Sequence, residues 1–304
     1  MTATLHAAVL GHPVDHSLSP ALHSAAFEVL GLDADYVRHD VPEQQWDEFW
    51  AGARASGHWR GFSVTMPLKP FAARDAERVT PLTRALGVAN TLTFAQDGSV
   101  AADNTDVMGI MAALGAAGEI PASPRAVVLG GGATASAAVA ALHGLGADCV
   151  DVAVRTAQRA ESLTAVAEAL GTSIRVLPWE QAGAALHGAD VVVATLPPRG
   201  ADELARGWRE EHPRVSGVLL DVAYDPWPSA LAAAWQDAGG AIAPGVDMLI
   251  FQAVDQLRWF TQGDSSRALP RENEVTAAMC RAVERPERVV PARVRQAQTT
   301  RLPR

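Results

Sequence analysis

The chain has 304 residues, of which 48% are hydrophobic and 19% are charged, the composition and length of a globular protein with room for two domains. Its formal net charge of −9 argues against general binding to nucleic acid or to anionic membranes. The two cysteines, Cys149 and Cys280, lie too far apart in the sequence to form a metal or redox motif. We therefore expect a protein of the reducing cytoplasm, without a signal peptide or a membrane span.

The N-terminal third of the chain alternates between strand and helix patterns, which is typical of an α/β domain. Pro20 suits the start of the first helix and Gly31 suits its end. A hairpin is expected at Gln96–Gly98, and another helix from about Val107. The elements predicted before the hairpin are strands at His6–Leu10, Tyr36–Val41 and Phe62–Thr65, and helices at Ala21–Leu30, Glu43–Ser56 and Asp75–Leu86.

Polar side chains recur in three segments that each follow an apolar element of this domain. Ligands of α/β domains bind outside the carboxyl ends of strands, so we expect these side chains to surround a ligand. Two serines at a helix entrance suit a carboxylate, although one of them could simply cap the helix. The other residues could equally be solvated polar groups. The six residues are Ser17 and Ser19, Thr65 and Lys69, and Asn90 and Asp106.

Two further groupings do not predict a metal site. The histidines His12, His16 and His23 cannot share one helical face, because a proline interrupts the segment. Asp103 and Asp106 offer two carboxylates to a cation, but no third carboxylate joins them in the sequence. We expect no metal.

The segment Ala126–Leu142 predicts the turn of a dinucleotide-binding unit. A short apolar strand precedes three glycines, and an alanine-rich helix follows them. The spacing of Gly130, Gly132 and Ala135 fits the fingerprint G-x-G-x-x-G/A, in which a helix N-terminus meets a pyrophosphate. The alternative is a purely structural glycine turn.

The next predicted strand, Cys149–Val154, bears on the choice of cofactor. Asp151 lies near the spacing at which NAD-selective folds place an acidic residue on the ribose, but it falls in the middle of the strand. Arg155 and Arg159 follow the strand, and guanidinium groups beside a ribose fit a 2′-phosphate. NADP is therefore favoured over NAD, unless both arginines are ordinary solvated residues at a helix start.

The strand–helix alternation continues through the rest of the chain. Gln252 is conspicuous in the apolar final helix, because a buried glutamine needs hydrogen-bond partners, whether in a site or as a core amide. Residues 286–304 are basic and broken by proline, and we predict a flexible tail there. The remaining predicted elements are helices at Ala160–Leu170, Gln181–Leu186, Ser229–Ala238 and Gly245–Phe260, and strands at Ile174–Leu177, Asp190–Ala194 and Val218–Val222.

Together, these residues resemble the shikimate dehydrogenase family over about residues 6–280. The motifs that carry the resemblance are GHPVDHSLSPALH, GFSVTMPLK, GVANTL, DNTD, GGGATA, VRTAQR, DVAYDPWP and GVDMLIFQ. The resemblance implies a metal-independent enzyme that reduces 3-dehydroshikimate to shikimate with NADPH. It also implies two α/β domains with a cleft between them. These are a substrate domain of residues 1–106 and 246–285, and an inserted Rossmann-type NADP domain of residues 107–245.

The resemblance further implies roles for individual residues. The catalytic proton-transfer pair would be Lys69 and Asp106. The substrate-binding residues would be Ser17, Ser19 and Tyr224 at the carboxylate, and Thr65, Asn90, Asp106 and Gln252 at the ring hydroxyls. The cofactor-binding residues would be Gly130, Gly131, Gly132 and Ala133 at the pyrophosphate, Arg155, Thr156 and Arg159 at the 2′-phosphate, and Gly245 and Met248 at the nicotinamide.

The chain departs from the family pattern at a few positions. Ser63 stands where the family usually has asparagine, and Val154 stands where it often has asparagine. The expected function is NADP-dependent shikimate dehydrogenase in the cytoplasm, acting on a small molecule, with a homodimer left open. The alternatives are an NAD-dependent quinate/shikimate dehydrogenase, an aminoshikimate-type paralogue and a non-catalytic ligand-sensing relative. Such a sensor would be expected to have lost the Lys/Asp pair, which this chain keeps.

Overall fold

The structure is a computed structural model that describes residues 4–156, 158–289 and 302–303. The described residues divide into two compact units. The first unit comprises residues 4–105 and 250–289, and the second comprises residues 106–249 with 302 and 303. Both are α/β units, as the sequence predicts.

The first unit is built on a six-stranded mixed sheet in the order β2-β1-β3-β5-β6-β4. Strand β1 pairs in parallel with β2 and β3, whereas β5 pairs antiparallel with β3 and β6. The strands are β1 (Leu5–Gly11), β2 (Ala34–Asp40), β3 (Gly61–Val64), β4 (Arg78–Val79), β5 (Thr91–Phe94) and β6 (Val100–Asp103).

The helices of the first unit come from both ends of the chain. A core of Trp46, Trp50 and Phe62 packs beneath them, with the two indole rings stacked 5.4 Å apart. The helices are α1 (Ser19–Leu30), α2 (Trp46–Ser56), α3 (Lys69–Asp75) and α4 (Pro81–Leu86), with most of α11 (Gly245–Gln262) and α12 (Glu272–Ala282).

The second unit is a six-stranded parallel sheet in the order β12-β11-β10-β7-β8-β9. Read from β9, this is the doubly wound order of a dinucleotide-binding fold, whose strand order reverses between β7 and β10. The strands are β7 (Ala126–Leu129), β8 (Cys149–Val154), β9 (Ser173–Pro178), β10 (Val191–Ala194), β11 (Val218–Asp221) and β12 (Ala241–Pro244). The helices are α5 (Asp106–Ala117), α6 (Ala133–Gly144), α7 (Gln158–Leu170), α8 (Ala182–Leu186), α9 (Asp202–Glu210) and α10 (Ala230–Asp237).

The helix predicted at Asp75–Leu86 is wrong. The chain instead ends α3 at Asp75, forms the short strand β4, and begins α4 at Pro81. The residue before a proline avoids the helical region, and Thr80 is extended with φ −58° and ψ 151°. Its hydroxyl then accepts a hydrogen bond from the Thr83 N–H, so the proline starts a new helix.

Helices α9 and α12 and strand β12 were not predicted, and α1 begins at Ser19, two residues before the predicted start at Ala21. The predicted tail, 286–304, lies outside the described residues except for 286–289 and 302–303. Within the described ranges, no helix is both long enough and apolar enough to cross a membrane.

Candidate active site

The polar segments of the first unit lie at one edge of its sheet. Parallel strands β1 and β3 end at this edge, antiparallel β5 begins there, and β6 ends there. The segment Ser17–Ser19 follows β1, Thr65 and Lys69 follow β3, and Asn90 directly precedes β5. The strand order therefore brings together residues that are up to 73 positions apart in the sequence, since Ser17 and Asn90 share this edge.

The serine segment is held mainly by backbone contacts. The Arg38 guanidinium donates to the Ser17 carbonyl oxygen at 2.6 and 3.1 Å, so strand β2 anchors the segment. The N–H of Ser19 donates to the Ser17 hydroxyl oxygen at 3.3 Å. Ser17 thus accepts a hydrogen bond from one N–H at the start of α1, as a capping serine would. The residue in the N-cap position itself is Leu18.

The segment from Thr65 to Lys69 forms a tight turn between β3 and α3. The Leu68 N–H donates to the Thr65 carbonyl oxygen at 2.9 Å, and the Thr65 N–H donates to the Leu10 carbonyl oxygen at 2.8 Å. Gly11 permits this packing, because a Cβ there would lie 2.3 Å from the Thr65 Cγ2. Lys69 is the first residue of α3 and is 8% exposed.

Lys69 is also the only lysine in the sequence, and the other 24 of its 25 basic Lys and Arg residues are arginine. A guanidinium stays charged under all ordinary conditions, whereas an ammonium can give up and regain a proton. The chain therefore has a single side-chain ammonium, and that ammonium belongs to the residue that begins α3 at this sheet edge.

Asn90 and Gln252 are brought together, although they are 162 positions apart. The Asn90 Nδ2 donates to the Gln252 Oε1 at 3.3 Å, and the Thr105 hydroxyl also donates to that oxygen at 3.3 Å. The Asn90 Oδ1 accepts from the Thr105 N–H at 2.8 Å and from the Thr91 hydroxyl at 2.8 Å. Two buried amides are thereby fixed in orientation at the sheet edge.

Sequence reasoning gave no role to several residues that are linked to this pair by hydrogen bonds: Tyr36, Ser63, Thr105 and Gln256. Gln256 lies one helical turn after Gln252 on α11 and is 1% exposed. Its i, i+4 spacing from Gln252 in an apolar helix was the available signal. Tyr36 and Ser63 carried no such signal, because only the pairing of β1 with both β2 and β3 places them near each other.

His23 lies behind the serine segment. Its Nδ1 is 2.9 Å from the Ser19 carbonyl oxygen, and its ring stacks on Tyr36 at 4.0 Å with planes 12° apart. Burial of the ring lowers the pKa of His23 to about 4, although the hydrogen bond to Ser19 opposes the shift. His23 therefore belongs to the core and does not join His12 and His16 in a metal site.

The glycine turn of the second unit has the geometry of an anion cradle. Gly130 adopts a φ of +116°, which favours glycine, and Gly131 packs so closely that a Cβ would lie 2.8 Å from the Arg159 carbonyl oxygen. Gly132 precedes α6, and a Cβ there would meet nothing within 4 Å. Ala133 is the first residue of α6, so the open space at Gly132 lies at the N-terminus of this helix.

The arginine segment lies directly beside this turn, as the contact between Gly131 and Arg159 shows. The Arg155 guanidinium lies 5.3 Å from the centre of the Trp179 ring and donates to the Gly200 carbonyl oxygen at 2.8 Å. Arg155, Thr156 and Arg159 are all exposed. Asp151 lies within β8, and its carboxylate forms an ion pair with Arg175 of β9.

Three further predicted site residues of the second unit follow β11 or β12, and a fourth begins α5. Tyr224 follows β11 and is half-buried, and burial raises its pKa. Gly245 begins α11 directly after β12, where a Cβ would lie 2.2 Å from the Val222 carbonyl oxygen. Met248 is in the first turn of α11, and Asp106 begins α5 and is 5% exposed.

The carboxylate of Asp103 is engaged by hydrogen bonds within the first unit. One oxygen accepts from the Thr80 and Thr83 hydroxyls at 2.8 and 3.2 Å, and the other accepts from the Trp259 indole at 2.7 Å. Among the residues that the structure describes, no cluster of three or more His, Cys, Asp or Glu side chains is arranged to hold a metal ion.

Comparison with known proteins decides the family. The family model of the shikimate dehydrogenase substrate-binding domain matches residues 9–92, and that of shikimate/quinate 5-dehydrogenase matches residues 116–202. The shikimate dehydrogenase (NADP(+)) of Methylobacterium radiotolerans is 38% identical over 275 residues, which cover 88% of this chain and 95% of that protein. The chain belongs to the shikimate dehydrogenase family. The enzyme of the same name from Rubrobacter xylanophilus is 38% identical over 84% of this chain and 90% of its own length.

Solved structures of shikimate dehydrogenases share this fold. That of Mycobacterium tuberculosis is 38% identical with a TM-score of 0.77, covering 91% of this chain and 99% of the other. That of Thermus thermophilus, in complex with NADP(H) and shikimate, is 33% identical with a TM-score of 0.74 and the same coverage. A quinate dehydrogenase from Corynebacterium glutamicum in complex with NAD is 23% identical with a TM-score of 0.75, a likeness of fold alone.

Proposed function

We propose that this chain is an NADP-dependent shikimate dehydrogenase that interconverts 3-dehydroshikimate and shikimate. The observation that carries the proposal is the 32–38% identity to curated NADP-dependent shikimate dehydrogenases over most of the chain. The T. thermophilus relative, solved with NADP(H) and shikimate, supports the same substrate and cofactor.

The described residues of the second unit fit NADP. The open space at Gly132 and the N-terminus of α6 suit a pyrophosphate, which Gly130, Gly131 and Ala133 would border. Arg155 and Thr156 directly follow β8, and Arg159 lies in the first turn of α7 beside the glycine turn. The three residues suit a 2′-phosphate. The Asp151 carboxylate is already paired with Arg175, which disfavours a role for Asp151 on a ribose.

The sheet edge of the first unit suits shikimate, which carries one carboxylate and several hydroxyls. Ser17 and Ser19 would hold the carboxylate, and Thr65, Asn90 and Gln252 would hold the hydroxyls. Fixed amides support this assignment, because hydrogen bonds of defined direction can recognise hydroxyls. We assign Tyr224 to the carboxylate, and Gly245 and Met248 to the nicotinamide, by resemblance to the family.

Lys69 and Asp106 are the proposed proton-transfer pair. NADPH, when bound, supplies a hydride to the carbonyl carbon of 3-dehydroshikimate. The carbonyl oxygen then gains negative charge, which the Lys69 ammonium would stabilise and neutralise by donating a proton to that oxygen. Asp106 would orient the lysine and the neighbouring ring hydroxyl.

One assay tests the proposal against its alternatives. Purified protein is given shikimate or quinate, each with NADP+ or NAD+, and formation of reduced nicotinamide is followed by absorbance. Turnover of shikimate with NADP+ as the best pair is expected. A preference for NAD+ or quinate would favour a quinate/shikimate dehydrogenase. The Lys69→Met variant sets the background rate. Wild-type rates no higher than this background with all four pairs would contradict the proposal and favour an aminoshikimate-type or sensing relative.

The proposed cellular setting is the reducing cytoplasm, which suits a chain whose Cys149 and Cys280 form no disulfide with each other. Cell fractionation tests this location. A homodimer is the assembly we propose to test by sedimentation, with a monomer as the contrary result.

A further inference from the structure

Tyr36 has a buried hydroxyl that the proposed mechanism does not use. The residue lies on β2 and is 6% exposed. Its hydroxyl donates to the Ser63 hydroxyl oxygen at 2.6 Å, and the Ser63 hydroxyl in turn donates to the Gln256 Oε1 at 2.7 Å. Three elements, β2, β3 and α11, are therefore joined by side-chain hydrogen bonds inside one unit.

The chain of hydrogen bonds continues from Gln256 to Asn90. The Gln256 Nε2 donates to the Asn90 carbonyl oxygen at 3.1 Å and lies 3.3 Å from the Thr91 hydroxyl oxygen. The Thr91 hydroxyl donates to the Asn90 Oδ1 at 2.8 Å. Both the backbone and the side-chain amide of Asn90 are thus held from the Tyr36 side.

Tyr36 also reaches the serine segment. The Ser19 side chain is near enough to the Tyr36 hydroxyl to oppose the rise of its pKa. His23 strengthens this link, because it contacts the Ser19 carbonyl oxygen through Nδ1 and stacks on the Tyr36 ring. The phenol consequently lies between Ser19 and the Ser63–Gln256 link.

We infer that Tyr36 is a positioning residue for substrate binding, whose hydroxyl fixes Ser19 on one side and, through Ser63 and Gln256, fixes Asn90 on the other. The inference rests on the proposed function, in which Ser19 meets the carboxylate of shikimate and Asn90 meets a ring hydroxyl. Tyr36 touches neither group of the substrate and acts by holding the residues that do.

The chemistry of the position explains why a phenol suits it. Burial raises the pKa of Tyr36 well above its usual range, although the hydrogen bond with Ser63 and the nearby Ser19 side chain oppose the shift. The hydroxyl therefore stays protonated and keeps its donor. Ser63 has a single side-chain oxygen, so the phenol and Gln256 meet on that one atom.

The test is the kinetics of Tyr36→Phe, which removes one oxygen and keeps the ring. We expect the KM for shikimate to rise about three- to tenfold, the loss typical of one or two hydrogen bonds, while kcat stays within about threefold and the KM for NADP+ is unchanged. In a Ser63→Ala background, the same substitution should raise the KM by a smaller factor than in wild type, because the arm through Ser63 and Gln256 is already broken and only the contact with Ser19 is left to lose.

Trp46→Phe is the matched control, since it removes a buried aromatic donor bonded to Asp75 at 2.6 Å in the same unit. It should lower the melting temperature and leave the KM for shikimate unchanged. An unchanged KM in Tyr36→Phe, or its full effect in the Ser63→Ala background, would overturn the inference. Should Tyr36→Phe not fold, Ser63→Ala alone must still raise the KM for shikimate, because it breaks the arm that runs from Tyr36 to Gln256 and Asn90. Wild-type protein without shikimate turnover would instead refute the proposed function, and this inference with it.

Discussion

At the scale of single residues, Lys69 is open to unusually clean tests because the sequence holds no other lysine. Lys69→Met keeps the length of the side chain and removes its charge and proton. If the ammonium acts chiefly on the developing alkoxide, kcat should fall by about 10²–10⁴-fold, the range of general acid–base residues. The KM for shikimate should change by less than about tenfold. Steady-state kinetics at saturating NADP+ give both values.

Lys69→Arg separates charge from proton transfer. It keeps a cation but cannot readily give up a proton, so its kcat should also be low. Activity near that of wild type in Lys69→Arg would show that a fixed charge suffices. If kcat survived in Lys69→Met while KM rose sharply, Lys69 would be a binding residue. Isotope-labelled lysine should give a single side-chain resonance, which shikimate should shift.

Arg155 is the residue on which the cofactor preference should depend most. Its guanidinium contacts the Trp179 ring and the Gly200 carbonyl, so it is already ordered when a 2′-phosphate arrives. Arg155→Ala should weaken NADP+ binding about tenfold or more and leave NAD+ binding nearly unchanged. Arg209→Ala, which removes an exposed arginine of the same unit that pairs with Asp237, is the matched control. Equal losses with both cofactors, measured by titration, would contradict the assignment.

At the scale of elements, the turn from β7 into α6 makes a paired prediction for neighbouring glycines. In Gly131→Ala the new Cβ would lie 2.8 Å from the Arg159 carbonyl oxygen, so the start of α7 must move. Overpacking of this kind costs about 1–3 kcal/mol, and NADP+ binding should weaken with it. In Gly132→Ala the Cβ meets nothing within 4 Å, so stability should hold while NADP+ binding weakens.

Thermal unfolding and NADP+ titration of the two variants check this pair. Equal losses of stability would mean that the turn is not packed as described. Full NADP+ affinity in Gly132→Ala would mean that the open space in front of α6 does not receive the pyrophosphate.

Elements with a strong local signal could be predicted from the sequence. The glycine turn was predicted because an apolar strand, three glycines and an alanine-rich helix each point to the same structure. The break at Pro81 was missed because helix-forming residues lie on both sides of it, and proline also fits a first helical turn. Helix α12 could have been predicted from the helical spacing of its apolar residues, because Val275, Ala278 and Met279 are buried on one face.

Residues that act through strand order could not be predicted in this way. Tyr36 contacts Ser63 only because β2 and β3 both pair with β1, and no local pattern in the sequence specifies that order. Asn90 and Gln252 stood out in the sequence by their positions, the family motifs gave them a role, and the structure places them in hydrogen-bond contact. The roles assigned to Lys69, Asp106 and the cofactor residues stay predictions.

At the scale of the whole molecule, the buried His23 makes stability depend on pH. Its pKa of about 4 in the folded protein lies below the ordinary value of 6.5, so the unfolded chain binds this proton first as the pH falls. The contribution of neutral His23 to the free energy of unfolding is complete above about pH 6.5. It is lost as the pH falls towards 4, at up to about 1.4 kcal/mol per pH unit. His23→Phe keeps an aromatic ring against Tyr36 and removes the proton site. Denaturant unfolding across this range should show a shallower pH slope in the variant, and an identical slope would contradict the burial of a neutral histidine.

The two units should respond separately to the two ligands, because the proposed contacts of each ligand fall mostly in one unit. Hydrogen exchange followed by mass spectrometry tests this in the intact chain, since a bound ligand stabilises the segments that it contacts against local opening. NADP+ alone should slow exchange most in peptides that contain Gly131 or Arg155. Shikimate alone should slow exchange most in peptides that contain Ser19, Thr65 or Asn90. Lys69→Met should keep both patterns, because the ammonium is proposed to matter most after hydride transfer begins. If shikimate protected the Gly131 peptide as strongly as the Asn90 peptide, the assignment of the substrate to the first unit would be wrong.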